Sequence, residues 1–418
     1  MGSFKNILIV VDSIDINDSS GSKANVGIIK SLCHLGFNLK VYHYTRKNID
    51  IPNVNCVSIP EKKENLKYFL SRGQRVFTRI TKININPFIE RLLGFSFTFF
   101  NDTDSIFDAL AKENSFTPDL VITLSKGASF RPHYSLLKIK KWHSKWIAYI
   151  HDPYPFHHYP HPYNWTEPGY KRKELFFKKV SENAKHSAFP SLLLKNWMGV
   201  FYPQFLKSGI VIPHQHIPIS IKNYTELPFF DKRKFNILHA GNLMKQRSPI
   251  CLLEGFKLFL KNNPLAKVNS RLLLIGPSEY YTIALKKYEN EIKELYLSKG
   301  NVAYQEVAYM QQHASVNVIL ESKSNISPFL PGKFPHCIIA NKPILLLGPH
   351  ESESRRLLGN DYPYFSEVDD ATKIAEIIER LYQKWNLDST QLTLNRNDLM
   401  EYISPSQLAD VLNSLNQS

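Results

Sequence analysis

The two halves of this chain open alike, and that repetition limits the fold more than any other feature. Lys5-Asn6-Ile7-Leu8-Ile9-Val10-Val11 and Lys234-Phe235-Asn236-Ile237-Leu238-His239-Ala240-Gly241 are each a short apolar run led by a lysine and followed by a loop and a helical pattern. A run this short and this continuously apolar reads as a strand buried on both faces of a parallel sheet. Further strand candidates in the first half are Leu39 to Tyr44, Val54 to Ile59, Leu120 to Leu124, Trp146 to Ile150 and Ile210 to Ile212. In the second half they are Arg271 to Ile275, Val302 to Tyr304, Val316 to Leu320 and Ile344 to Leu347. Helical patterns lie between many of them, including Ala24 to Leu35, Pro249 to Lys261 and Tyr281 to Ser298. Such alternation predicts an α/β chain with two Rossmann-like, doubly wound parallel sheets in tandem.

Pro213 to Lys234, with Pro213, Pro218 and Pro228 among polar residues, reads as the linker between them. The expected domains are residues 1–218 and 219–403, followed by a C-terminal helix in 404–418 that starts at Ser404-Pro405-Ser406. Ligands of doubly wound sheets bind at the carboxyl ends of the strands, so two facing sheets predict an active site in the cleft between them.

The chain has 418 residues, 43% of them hydrophobic, enough for two sizeable cores. Met1-Gly2-Ser3-Phe4-Lys5 runs straight into the first strand without the zones of a signal peptide. No apolar run approaches the roughly 20 residues that span a bilayer. A cytoplasmic protein, or one peripheral to the inner face of the cytoplasmic membrane, is expected. Cys33, Cys56, Cys251 and Cys337 are too far apart for a C-x-x-C pair and read as isolated buried thiols.

Charge is unevenly placed. Residues 1 to 215 hold 29 Lys and Arg against 16 Asp and Glu, net +13, which leaves 23 against 21, net +2, for the rest. A basic first half points to an anionic surface or ligand on that side, membrane headgroups or nucleic acid; a merely solvated basic surface is the bland reading. No nucleic-acid module is visible, so no nucleic-acid partner is expected. Between Lys62 and Arg91, basic residues mix with Tyr68, Phe69, Phe77 and Ile80, and Leu92 to Phe100 is richly aromatic. This pattern fits an interfacial membrane segment, and equally a core helix with a solvated basic face.

The stretch with most chemistry is Ser327-Pro328-Phe329-Leu330-Pro331-Gly332-Lys333-Phe334, set between the apolar runs ending at Leu320-Glu321 and beginning at Ile344. Strand, Pro/Gly-pinned loop with a cation, helix and strand make a device for holding a diphosphate. Gly241-Asn242-Leu243-Met244-Lys245-Gln246-Arg247 places further cations after the first strand of the same half. There is no G-x-G-x-x-G and no G-x-x-x-x-G-K-[ST], which counts against a dinucleotide oxidoreductase and a P-loop ATPase.

These segments resemble nucleotide-sugar glycosyltransferases of the two-Rossmann (GT-B) kind, in particular a bacterial subgroup of glycosyltransferase family 4 with an SPF-x-P-x-KF segment. The resemblance implies a nucleoside-diphosphate sugar, UDP- or GDP-linked, as donor substrate, with no prosthetic group and no metal. The donor side would be formed by Gly241, Asn242, Arg247, Ser327, Pro331, Gly332, Lys333 and His336. The family's glycine loop usually reads G-R-L with a lysine six residues after the glycine; here Asn242 takes the arginine's place and Arg247 the lysine's. Its Glu-x7-Glu pair is absent: His336 stands at the second position and Pro328 at the first. His336 can still bond ribose hydroxyls, and contact with the sugar passes to Glu321, Asn325 or Ser327. The C-terminal helix is implied to return to the first domain.

In the first half, His151 and Asp152 follow the strand at Trp146 to Ile150. Family members carry a histidine there, facing the donor sugar and diphosphate, where a neutral or protonated imidazole steadies the leaving group and Asp152 orients the ring or meets the acceptor. Gly21 lies in the loop between the first strand and the Ala24 helix, and is implied to reach the same groups. His157, His158 and His161 sit in a proline-rich aromatic loop, where converging metal ligands are not expected and an acceptor loop fits better. Asp102-Thr103-Asp104 looks like the metal-binding D-x-D of the other major glycosyltransferase fold, but it follows an aromatic run and no metal is expected there. The function implied is retaining transfer of a sugar to an acceptor hydroxyl, on a saccharide or lipid-linked saccharide. The alternative is a catalytically degenerate scaffold of the same fold in envelope glycan assembly, favoured by the missing carboxylates.

Overall fold

A computed structural model describes residues 4–163, 165–216, 227–298 and 300–415. The chain divides into two compact units, one of Met1–Tyr159, Tyr163–Ile217 and Ser404–Ser418, the other of Pro160–Pro162 and Pro218–Ile403. The middle of the expected linker and the boundary placed between 218 and 219 lie outside the described residues.

Unit 1 is built on β1 (Asn6–Val11), β2 (Asn38–His43), β3 (Asn55–Ser58), β4 (Leu120–Leu124), β5 (Trp146–Tyr149), β6 (His186–Phe189) and β7 (Gly209–Val211). All pairings are parallel, in the order β3-β2-β1-β4-β5-β6-β7. Ile7 to Val11 are completely buried, as a central strand with helices on both faces demands. The helix Ser20–His34 follows β1; the Ser19 hydroxyl accepts the Ser22 N–H at 3.1 Å and starts it. That cap corrects the placing of Gly21, which lies in the first turn of the helix and not in a loop before Ala24. The last helix, Pro405–Ser414, is capped by Ser404 and packs against Ser20–His34, burying Leu408 and Leu412.

Unit 2 contains β8 (Phe235–Ala240), β9 (Ser270–Ile275), β10 (Leu295–Leu297), β11 (Val316–Leu320), β12 (Ile326–Ser327), β13 (Ile344–Leu347), β14 (Glu351–Ser352) and β15 (Phe365–Ser366). Six of them form a parallel sheet, β10-β9-β8-β11-β13-β15, and β12 pairs with β14 separately. Here the local expectations need correction. The helix expected over Tyr281 to Ser298 stops at Glu291, and Leu295–Leu297 takes the sheet edge beside Leu272–Leu274 of β9. With that edge occupied, Val302 to Tyr304 is not a strand; Ala303 caps the helix Tyr304–His313. The thiols are free, but only Cys337 is buried, so the reading of four buried cysteines holds for one.

Candidate functional site

In unit 2 the strand order reverses between β8 and β11, where the loops leaving the two strands part and a ligand can sit at their carboxyl ends. His239 is the last residue but one of β8, Gly241 and Arg247 follow it, and Glu321 is the first residue after β11. Lys333 enters from the loop before the helix Phe334–Ile339. Its Nζ lies 3.1 Å from His239 Nδ1 and 3.4 Å from the Val318 carbonyl oxygen. The residue is partly exposed, yet its amine is enclosed, and burial pulls its pKa down to about 7, helped by the charge of Arg247. Burial also holds the His239 imidazole well below its ordinary pKa, reinforced by Lys333 and Arg247, so the ring is neutral. Lys333 Nζ faces Nδ1, while Nε2 is buried and meets no hydrogen-bond partner.

Gly241 keeps this corner open. A Cβ there would come within 3.2 Å of Lys333 Nζ and 3.6 Å of His239 Nε2. Arg247 is anchored by its own N–H to the Met244 carbonyl at 2.8 Å, while its buried Nε has no acceptor. Among the described residues neither Lys333 nor Arg247 forms an ion pair, in contrast to buried Lys173, which meets both Glu90 and Glu167. Two cations without an ion pair and the orphaned nitrogens of Arg247 and His239, set together at a switch point, are groups that an anion can satisfy.

Glu321 is the acid of this cluster. Burial pushes its carboxyl up to about 7, against the opposing pull of the Ser354, Ser327 and Ser352 hydroxyls and of Arg247. Ser354 donates to Oε1 at 2.6 Å. The carboxyl lies flat against Gly348 at the end of β13, where a Cβ would sit 2.7 Å from Oε2. Ser327 is buried on β12, beside Ser352 of β14. Pro331 accepts the Phe334 N–H at 2.8 Å, closing the turn that carries Gly332 and Lys333. That amide is therefore spent within the turn, and Pro335 after it has none to offer. One turn on, His336 Nε2 lies 3.1 Å from the Tyr304 hydroxyl. Asn242 is exposed.

Unit 1 has its own switch point between β1 and β4. Buried His151, just past β5, places Nε2 2.9 Å from Asn25 Oδ1. Asn25 donates its amide to the Ser125 carbonyl at 3.0 Å and to that of Ser13 at 3.4 Å, so Oδ1 accepts and His151 Nε2 carries the proton. Burial, with His214 stacked at 5.7 Å and His133 close by, holds His151 far below its ordinary pKa. Of the two protonation states expected, the neutral one is thus present, and the ring is fixed by the Nε2–H that it donates to Asn25 Oδ1. Gly21 lets the start of its helix approach the loop after β4: a Cβ would lie 3.3 Å from the Gly127 nitrogen. Asp12, at the end of β1, accepts from the Lys126 N–H at 3.1 Å and from Ser129.

The D-x-D segment lies within the helix Phe97–Ala111, and its acids are in ion pairs. Asp102 meets Arg46 at 2.6 Å and Arg131 at 2.9 Å, and Asp104 meets Lys67 at 2.5 Å and Lys138 at 3.0 Å. The histidine loop corrects the expectation that prolines keep its ligands apart. His157 and His158 converge with Glu174, their candidate ligand atoms all within 4.8 Å, and His157 Nε2 bonds Glu174 at 2.7 Å. His161 does not join them. Sequence reasoning missed His239, Gly348, Ser354 and Asn25; only His239 offered a signal, a polar side chain inside an otherwise apolar strand.

No family model matches the chain, and no curated protein matches it in sequence. Solved structures do match its fold. Anabaena HepE, solved in complex with UDP and glucose, is 10% identical, with 98% of this chain and 100% of that chain covered at a TM-score of 0.59. WaaG, a glycosyltransferase involved in lipopolysaccharide biosynthesis, is 10% identical, with 97% and 99% covered at 0.61. The UDP-forming α,α-trehalose-phosphate synthase of Burkholderia xenovorans is 11% identical, with 98% and 98% covered at 0.62. The chain thus has the fold of these GT-B proteins, two Rossmann-like parallel-sheet domains, over nearly its whole length.

Proposed function

We propose that this chain is a glycosyltransferase that moves a sugar from a nucleoside diphosphate to an acceptor hydroxyl. One observation carries the reading: Lys333 and Arg247 converge at the switch point of unit 2 without an ion pair among the described residues, and the buried Nε of Arg247 lacks an acceptor. A diphosphate supplies what both lack, and the neighbour solved with UDP and glucose supports a UDP-type donor. When the bond from the anomeric carbon to the diphosphate breaks and the bond to the acceptor oxygen forms, negative charge gathers on the leaving diphosphate, where these cations stabilise it. The neutral His239 ring stands beside them.

Glu321, with Ser327, takes the sugar-contacting role left vacant by Pro328, and His336 with Tyr304 serves the ribose. In unit 1, neutral His151 contributes a hydrogen bond and not a charge, and this unit receives the acceptor, a saccharide or a lipid-linked saccharide. Retention of configuration follows from the family resemblance alone and is read from the anomeric signal of the product.

The test is a thermal-shift and turnover panel with UDP, GDP and their sugar conjugates. A diphosphate family that stabilises the protein, with the shift lost in Lys333→Ala and Arg247→Ala while both variants stay folded, supports the site. Unchanged shift and turnover in both variants sinks it. Donor binding without hydrolysis or transfer to any acceptor selects the degenerate scaffold.

A further inference from the structure

The helix Leu66–Thr81 is inside out. Leu66, Phe69, Leu70, Gly73, Val76, Phe77 and Ile80 recur at helical spacing and form one apolar stripe. In an ordinary surface helix such a stripe faces the core. Here it faces solvent, with Leu66 73%, Phe69 64% and Ile80 75% exposed. The side turned to the protein is polar: Ser71 and Gln74 are its buried residues. It is held by Ser71 to Thr98 at 2.7 Å, Lys67 to Asp104 at 2.5 Å, and Gln74 to Asn86. The stripe continues through Ile83 to Phe88 and Leu92 on the next helix, Asn86–Leu93, both exposed while Ile89 is buried. The alternative of a core helix with a solvated basic face is therefore overturned for this segment; core packing begins at Phe95 and Phe99.

We propose that this face docks on an anionic lipid surface. Its rim carries the charge that chooses the partner. The helix Leu66–Thr81 has no acidic residue; of its cations Lys67 meets Asp104 and Arg72 reaches Glu61 at 3.5 Å, while Arg75 and Arg79 have no acidic partner among the described residues, and Lys82 and Arg91 continue the series. Glu90, the one acid in the second helix, is bonded to Lys173 at 2.9 Å. Apolar side chains that enter the headgroup boundary, flanked by cations level with the phosphates, are the two components of interfacial binding. A second copy of the chain fits worse, because a symmetric contact along the stripe would set arginine rim against arginine rim. No helix among the described residues is long and apolar enough to cross a membrane, so the mode is docking on the surface. This inference is independent of the donor site.

The experiment is co-sedimentation of the full chain with phosphatidylcholine vesicles with and without about a third phosphatidylglycerol, a content that gives a negative surface potential. The expected result is binding to the anionic vesicles that falls several-fold with added salt. It should weaken at least tenfold in Phe69→Ser/Ile80→Ser and several-fold in Arg72→Gln/Arg79→Gln. The side chains replaced are exposed, so melting temperatures should hold. Equal binding by both double variants, or no binding by the parent, overturns the proposal. So does a dimer, seen by light scattering, that Phe69→Ser/Ile80→Ser dissociates while vesicles bind neither protein; the face would then be a contact between copies. Any of these leaves nucleotide-induced stabilisation, measured without lipid, untouched.

Discussion

Replacing Glu321 with glutamine should stabilise the free protein above neutral pH and leave it unchanged in acid. Burial raises this carboxyl from 4.5 to about 7. A carboxyl whose folded pKa lies above its unfolded value holds its proton more tightly when folded, so ionising it costs stability. The cost is absent below pH 4.5, grows as pH rises towards 7 and is constant beyond. At 1.36 kcal/mol per pKa unit, the interval corresponds to about 3 kcal/mol. Glutamine removes the charge but keeps an oxygen to accept the Ser354 hydroxyl, now at 2.6 Å from Oε1. For a unit of this size, that amounts to roughly 5–10 °C in melting temperature. Calorimetry of parent and Glu321→Gln at pH 5 and pH 8 reads it, because two units need not melt in one step. The variant should melt higher at pH 8, the gap should shrink towards pH 5, and transfer should be lost although stability is gained. A gap independent of pH, or a variant less stable at pH 8, would refute the reasoning: Glu321 would then be well satisfied as an ion.

Two further outcomes follow from the same corner of unit 2. Lys333, drawn down to about 7, is largely neutral at pH 8 and regains its proton beside a diphosphate. Titration calorimetry of UDP in buffers of different ionisation enthalpy should therefore show proton uptake at pH 8 and almost none at pH 6; no uptake at pH 8 would separate Lys333 from the anion. Gly348→Ala should push Glu321 from its place, since the new Cβ would fall 2.7 Å from Oε2. At least a tenfold loss of turnover with an unchanged circular dichroism spectrum is expected, and full activity would remove Glu321 from the reaction.

The architecture was legible because most strands of both sheets are continuous apolar runs, and burial on both faces leaves little else for such runs to do. The strands missed are those whose residues lack that mark. β6 reads His-Ser-Ala-Phe, β15 has only two residues, and β10 looked like the end of a helix because edge pairing with β9, a tertiary fact, overrides a weak periodicity. The site was legible in the same uneven way. Lys333 and Arg247 stand in loops whose glycines and prolines announce a function. His239 and Gly348 become partners of Lys333 and Glu321 only when β8, β11 and β13 lie in register, and Asn25 reaches His151 only across unit 1. Residues brought together from strands distant in sequence carry no local spacing to read.

The helix Pro405–Ser414, packed on Ser20–His34, makes unit 1 a domain whose first and last pieces are separated by nearly all of the chain. During synthesis the partner that covers the face of Ser20–His34 emerges only after unit 2 has been made. Unit 1 must therefore wait, incompletely covered, while unit 2 folds between its parts, and its closure is the most non-local step in folding.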